Sequence, residues 1–416
     1  MKQLDLCIYE DERAINFSPL SLTRPVFDLR CGLFTLGQKI IQRFPGYRVS
    51  YFLRDELLGV VKLERPQTQL NSAPREGGYF INSRFMPSKP LPGKLETSTT
   101  FICHDEIAGA FLAPKDVRKI ERNQDGTIKN ICFQSLPQQE VDGTMNAFCW
   151  DLVHHNAREI ERDFNFAQRG GQILAKIYPN VTLLEQENIH LGLGAKIYPG
   201  AVIDGESGPV YIADGAKVMS NAVIEGPAYI GKDSVVKIGA KIYGGATIGD
   251  VCKVGGEIEG SIIHGHSNKQ HEGFLGHAYL GEWVNLGADT NNSDLKNNYT
   301  PVSVYINGKM HNTGQKFVGL FMGDHAKSGI NTMFNTGTVV GVMANVFGAG
   351  YSPKYIPSFS WGGIERTVLY TFNKARATAQ RVMERRGAMM VPAQEALFKK
   401  IYENAKLEVE KLKKRE

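Results

Sequence analysis

Cysteine is scarce in this 416-residue chain: Cys7, Cys31, Cys103, Cys132, Cys149 and Cys252 are scattered, and no two form a CxxC pair. That argues against a zinc ribbon or a disulfide framework and points to a reducing, cytoplasmic setting. A secretory leader is not expected either, because Asp5 interrupts the brief apolar stretch at the start. Charge is missing altogether from Ser328 to Pro353, but Asn331, Asn335, Gly337, Gly341 and Asn345 break that run, so no membrane span is expected. The net charge is +5, and residues 365–416 alone hold 13 Lys or Arg against 7 Glu, which leaves the remainder near neutral. Such a basic tail is either a solvated helical face or an attractor of a polyphosphate or other anionic partner. It lacks interleaved aromatics for stacking on bases, so nucleic acid is not expected as a partner.

What the chain has instead is a period of six. Leu191, Ile197 and Ile203 are followed, after a three-residue insertion, by Ile212, Val218, Ile224, Ile230, Val236, Ile242, Ile248 and Val254. With 42% of residues apolar, eight such hits in register arise by chance about once in a thousand trials, so the repeat is real. The period returns at Phe274, Leu280 and Leu286, and again at Met322, Phe334, Val340 and Val346. Glycine follows many of these residues, as in Ile230-Gly231, Ile248-Gly249 and Val340-Gly341, and marks tight turns between short strands that stack into a prism. The pattern resembles the hexapeptide repeat of the left-handed parallel β-helix acyltransferases, and the handedness is an implication of that resemblance.

Residues 1–178 read as alternating strands and helices, with strands at Leu4–Tyr9, Tyr47–Leu53, Tyr79–Asn82 and Thr99–Cys103 and helices at Thr35–Phe44 and Val153–Phe164. The expectation is a layered α/β domain. Residues 179–355 are assigned to the solenoid, interrupted by a polar protruding loop over Asn291–Lys316, and residues 356–416 to a helical tail. In that tail Leu397, Ile401, Ala405, Val409 and Leu412 form one apolar stripe, and Pro392 separates the last helix from the one before it.

Four histidines, His264, His266, His271 and His277, fall within fourteen residues. Either they gather on a metal, or one is a general base and the rest are incidental. The wider run His271-Glu-Gly-Phe274-Leu-Gly-His-Ala-Tyr-Leu-Gly-Glu-Trp-Val-Asn285-Leu-Gly-Ala288 resembles, without gaps, the acetyltransferase core of the bifunctional GlcNAc-1-phosphate uridyltransferases. The resemblance implies that His271 takes a proton from the glucosamine amine as it attacks the acetyl thioester, a task suited to a neutral imidazole. It implies that Asn285 binds the sugar or holds the amine, and that the Ala288 backbone lies against the acetyl group of acetyl-CoA. Phe274 stands where that family has tyrosine and removes a sugar-phosphate contact. Lys241 is the candidate for a basic residue one coil earlier, and Ser328 is nominated toward the carrier. The loop that ends Lys296-Asn297-Asn298-Tyr299 would bring Lys296, Asn298 and Tyr299 to a neighbouring subunit's sugar site.

The first domain lacks the glycine-rich loop of ordinary sugar nucleotidyltransferases. Tyr9-Glu-Asp-Glu-Arg13 is followed by Phe17-Ser-Pro-Leu-Ser-Leu-Thr-Arg24-Pro25-Val-Phe-Asp-Leu-Arg30-Cys-Gly32. That string resembles a divergent nucleotidyltransferase family fused to hexapeptide repeats, an alternative bacterial version of the bifunctional enzyme. Arg13, Arg24 and Arg30 would then hold the triphosphate through guanidinium forks. The family's reaction is in-line attack of a sugar-1-phosphate on the α-phosphorus of UTP, with magnesium held by a carboxylate and an amide. The candidate metal residues are Asn82, Asp105 and Asn156.

The whole resemblance implies a cytoplasmic homotrimer that makes UDP-GlcNAc from glucosamine-1-phosphate, acetyl-CoA and UTP. Two rivals stand beside it. One is a nucleotidyltransferase for another sugar-1-phosphate or NTP, such as glucose-1-phosphate with dTTP, whose solenoid is only a scaffold. The other is a metal-binding trimer like the β-helical carbonic anhydrases, which use histidines from adjacent subunits.

Overall fold

In the computed structural model, which describes residues 4–93, 95–363 and 367–413, with side chains to residue 410, the chain begins with the apolar run Asp5–Tyr9 (β1), buried at every position. A strand hidden on both faces is what a parallel sheet covered by helices requires. Parallel partners lie on either side of β1: Arg48–Phe52 (β2) and Gly78–Asn82 (β4). With Gln69–Leu70 (β3), Thr99–Cys103 (β5), Glu106–Leu112 (β6) and Gln138–Glu140 (β7), the seven-stranded order is β7-β5-β6-β4-β1-β2-β3. The chain leaves β1 toward one edge and returns to β4 on the other side. Between β1 and β4 the connection direction reverses, and in open α/β sheets the crevice beyond the carboxyl ends of such strands is where ligands bind.

Helix α1 spans Leu36–Gln42 and starts with a capping box in which Thr35 and Gln38 satisfy each other's backbone N–H groups. Helix α2 spans Leu58–Glu64. Helix α3, Cys149–Ala167, starts four residues before the expected Val153 because Asp151 accepts from the backbone N–H groups of Ala147 and Phe148.

From Lys176 onward each turn of chain adds one short strand to each of three faces, and the coils form a left-handed parallel β-helix. The first face runs Lys176–Ile177, Lys196–Ile197, Lys217–Val218, Val235–Val236, Lys253–Val254 and Asn268–Lys269, and continues through bridges at Asn285 to Lys327–Ser328. The second face runs from Thr182–Leu184 to Phe274–Gly276, and the third, nine strands long, from Ile189–Leu191 to Tyr355–Ile356. The inward residues are the period-six aliphatics, fully shielded from Leu191 to Val254. Burying each contributes about 1.5–3 kcal/mol.

Two expectations fail here. Coil length drops between Lys253 and Asn268, so the register slips: Leu275 pairs with inward Ile258, and Phe274 faces outward beside Glu257. The stretch Asn291–Lys316 is not simply a protruding loop. Asn291–Asn292 pairs with Met333–Phe334, and Ser303–Ile306 with Lys309–Asn312 forms a hairpin whose Val302, Val304 and Ile306 are buried against the first domain.

The third face is covered by the first domain. Tyr279, Ile262, Phe321 and Val339 pack on Leu20, Val26, Trp150 and Leu152. At the joint, Asn156 of α3 accepts from the Gly32 N–H (2.7 Å) and donates to the Gly245 carbonyl (2.8 Å) and the Thr247 hydroxyl (3.0 Å). The helical tail follows as α4 (Phe372–Glu384) and α5 (Pro392–Lys413). Pro392 is the first residue of α5, where a missing N–H costs nothing. Leu397, Ile401 and Ala405 pack into the core of the first domain with Leu57, Val60 and Val61, and Val409 is also buried; the Leu412 side chain lies outside the described residues. Ile401→Ala should lower unfolding stability by about 2–4 kcal/mol, read from the urea midpoint, with loss of the first domain's and the prism's signals in one transition.

Candidate functional sites

Both carboxylates that follow β1 are fully buried. Glu10 accepts from the Val26 N–H (2.9 Å), the Arg54 N–H (3.0 Å) and the Arg54 guanidinium (3.0 and 3.1 Å), which pins the segment after the first 3-10 turn to β2. Asp11 accepts from Arg84 (2.7 to 3.1 Å), Asn82 (2.8 Å) and Asn130 (2.9 Å). Burial alone raises the Asp11 pKa, but the Arg84 charge and these donors outweigh it and hold the carboxyl below its ordinary value. Arg84, 1% exposed, also donates to the Asn146 carbonyl (2.7 Å) and to Glu106 (3.1 Å). Glu106 accepts in turn from Arg13 (2.9 Å). The chain Asp11, Arg84, Glu106, Arg13 therefore runs from the buried ends of β1 and β4 out to solvent, where the half-exposed Arg13 guanidinium is the open end.

The three arginines nominated for a triphosphate do not converge. Arg24 is 9% exposed and ion-paired to Asp324 (2.5 Å) and Glu282 (3.4 Å) of the prism. Arg30 lies 3.9 Å from Asp250 and over the Tyr229 ring, and its backbone exchanges hydrogen bonds with the Tyr279 hydroxyl. Both hold the solenoid, and only Arg13 reaches the crevice. The magnesium candidates are equally dispersed. Asn82 is consumed by Asp11 and by the Arg84 N–H, Asp105 is an exposed residue with φ +64° in the turn between β5 and β6, and Asn156 is at the solenoid joint. These three do not form a metal site. Asp11 lay inside a string that resembled the family, but its partnership with Arg84 needed the sheet order to be seen.

On the prism, His264 lies on the third face, His266 at the corner leading to the first face, His271 at the corner between the first and second faces, and His277 at the corner between the second and third. The four are spread around one circumference and do not gather. Among the described residues no group of three or more His, Cys, Asp or Glu is arranged to hold a metal. His264 is only slightly exposed, and its removal from water pushes its pKa well below 6.5; His277 Nδ1 lies 2.8 Å from Asp294.

His271 is exposed on its corner. Two residues on, Gly273 has φ +112° and a Cβ there would strike the Thr290 carbonyl, so the corner needs glycine. In the next coil Ala288 occupies the corresponding corner, tied below by the Asp289 N–H to the Glu272 carbonyl (3.1 Å) and above by the Asn331 N–H to its own carbonyl (2.9 Å). Asn285 points out from the first face and accepts from Asn268 (3.3 Å), which accepts from Arg386 just beyond α4 (2.8 Å). Lys241 reaches this edge too, 3.6 Å from Glu272, and Phe274 is half-buried there, its N–H held by Asn291 (2.8 Å). Ser328 points inward; its hydroxyl accepts from the Gly287 N–H (3.0 Å) and bonds Thr290 (2.8 Å), so it braces the Ala288 coil and is not open to a ligand. Lys296, Asn298 and Tyr299 project beyond the corner of His277, on a different edge, with Tyr299 64% exposed. One chain does not bring them to His271.

The buried pair at the crevice has a direct test. Arg84→Met leaves Asp11 without its counter-charge and should cost about 3–5 kcal/mol at pH 7. Because the folded Asp11 pKa is depressed, its contribution is complete above the unfolded value of 3.8 and fades as pH falls through the folded one. Denaturant midpoints at pH 7 and at about pH 3 should therefore show a smaller gap between variant and wild type at the lower pH.

Residues 6–172 match the family model described as sugar nucleotidyl transferase. A bifunctional sugar-1-phosphate nucleotidylyltransferase/acetyltransferase from Sulfurisphaera tokodaii is 31% identical over 91 residues, 22% of this chain and 23% of that protein. A bifunctional protein GlmU from Rippkaea orientalis is 33% identical over 134 residues, 31% of this chain and 27% of that protein. The chain thus matches about a quarter of the length of these relatives. An Arabidopsis UDP-N-acetylglucosamine acyltransferase structure covers 56% of this chain and 90% of its own at 14% identity, with a TM-score of 0.24. Residues 6–172 thus form a domain similar to the sugar nucleotidyl transferases, joined to a parallel β-helix, and 22% to 31% of the chain is similar to bifunctional nucleotidylyltransferase/acetyltransferase and GlmU proteins.

Proposed function

We propose that the protein makes UDP-GlcNAc in two steps: acetyl transfer from acetyl-CoA to glucosamine-1-phosphate on the prism, then uridylyl transfer from UTP to GlcNAc-1-phosphate at the β1/β4 crevice. The observation that carries the reading is an exposed histidine on a prism edge, with Ala288 at the same corner of the next coil and Asn285 on the adjoining face. In the first step the amine attacks the thioester carbonyl and His271 takes its proton. The carbon–sulfur bond breaks, and the CoA thiolate leaves. Asn285 holds the amine, the Ala288 backbone lines the acetyl group, and Lys241 attracts the sugar phosphate. Lys296, Asn298 and Tyr299, on another edge, serve the site of a neighbouring copy in a cytoplasmic homotrimer.

In the second step a phosphate oxygen of GlcNAc-1-phosphate attacks the α-phosphorus of UTP in line, the bond to the β-phosphate breaks and pyrophosphate leaves, with Arg13 as the cationic group open to the phosphates in the crevice. Magnesium would enter with the nucleotide, because Asn82, Asp105 and Asn156 lie apart. The rival reading, a scaffold-only prism beside a transferase for a different sugar-1-phosphate, is separated by product analysis. Purified protein is given glucosamine-1-phosphate, acetyl-CoA, UTP and magnesium, with each omitted in turn and His271→Ala run in parallel. The expected result is UDP-GlcNAc only from the complete mixture, at least about a hundredfold less from the variant, and full recovery when GlcNAc-1-phosphate is supplied. Unconsumed acetyl-CoA would overturn the acetyl-transfer half.

A further inference from the structure

The inward column of the first face reads Ile197, Val218, Val236, Val254, Lys269, Leu286, Ser328, Val346. A lysine there is anomalous. It is 2% exposed, and among the described residues no carboxylate pairs with it. Removal from water lowers its pKa from 10.5 to about 8, so the ammonium is held at a cost that an aliphatic neighbour, Val254 below or Leu286 above, does not carry. Methionine has nearly the same length and would fill the column without a charge.

The side chain does one specific thing. Its Nζ donates to the His271 carbonyl at 2.6 Å. Neither Gln270 nor His271 makes a backbone hydrogen bond to the coil above or below, among the described residues, although most corners of the prism are laced in that way. At His271 the tie to the interior is the lysine.

We infer that Lys269 is a positioning residue for His271: an ammonium inside the prism grips the carbonyl of the exposed corner and so fixes the direction in which the imidazole is presented to the amine. This rests on His271 being the base of the acetyl transfer. The lysine touches neither substrate nor carrier, and it acts through the backbone of the residue that does. The interior polar groups nearby fit the same purpose, since Ser328 and Thr290 brace the Ala288 corner one coil further on.

Lys269→Met in the full-length protein tests this. Stability should rise, because a buried charge is replaced by a thioether. The gain should be largest below about pH 8 and shrink as pH rises through 10.5, above which the native amine is neutral in both folded and unfolded chains. Acetyl transfer should fall by about tenfold or more in kcat with the KM for acetyl-CoA within about twofold, while uridylyl transfer from supplied GlcNAc-1-phosphate is unchanged. Hydrogen exchange in the 268–276 peptide should quicken, a readout that needs no activity. Lys269→Gln, which keeps a neutral donor, should recover part of kcat. Unchanged kcat and unchanged exchange in Lys269→Met would overturn the inference, as would a Gln variant no better than Met. His271→Ala in parallel separates the two readings: if it keeps acetyl transfer, the base assignment fails, and if it is inactive while Lys269→Met is fully active, only the role of Lys269 fails.

Discussion

The amide of Asn156 joins three parts of the molecule at once. Its oxygen takes the N–H of Gly32, and its nitrogen reaches the carbonyl of Gly245 and the hydroxyl of Thr247, which itself donates to the Gly32 carbonyl at 3.2 Å. A helix, a loop of the α/β domain and a prism strand are thereby keyed to one another within a buried site where an unmade hydrogen bond would be costly. The ion pair of Arg24 with Asp324 and the exchange between Arg30 and Tyr279 extend the same contact along the third face. With that face covered by the chain's own first domain, the edge of His271 stays open to solvent on the opposite side of the prism.

Much of this was legible beforehand. A period of six cannot be satisfied by a helix or an ordinary strand, so the prism and its inward residues from Leu191 to Val254 could be read directly. The first strand, α3 and the stripe of α5 followed from ordinary apolar patterns. What escaped was whatever depended on partners far away in sequence. Arg24 and Arg30 looked like phosphate ligands because guanidinium groups in a loop after the first strand have that use, yet their partners Asp324, Asp250 and Tyr279 are more than 200 positions further on. Asn156 resembled a metal-binding amide for the same reason. The hairpin at Ser303–Ile306 was hidden because a polar, insertion-like composition gives no hint of the three aliphatics it buries.

The slip at Phe274 has a different origin. A shortened coil between Lys253 and Asn268 breaks the count of six, and from there the inward positions begin to admit polar residues, Lys269, Asn292 and Ser328. The departure from regularity coincides with the edge of His271. A strictly aliphatic interior would stack equally well but would have nothing with which to hold a corner carbonyl, so the polar interior marks where the prism stops being only a scaffold.

Helix α5 lies in the same core as the first strand. Leu397, Phe398 and Ile401 share one apolar cluster with Leu6, Ile8 and Tyr51. During synthesis the first domain therefore emerges with part of its core uncovered, and it waits through the whole length of the prism for the residues that close it. The stacked coils, which contact mainly their neighbours, can form in the meantime and present their third face to the unfinished domain. A helix made only after the prism is the one that completes the core of the first sheet.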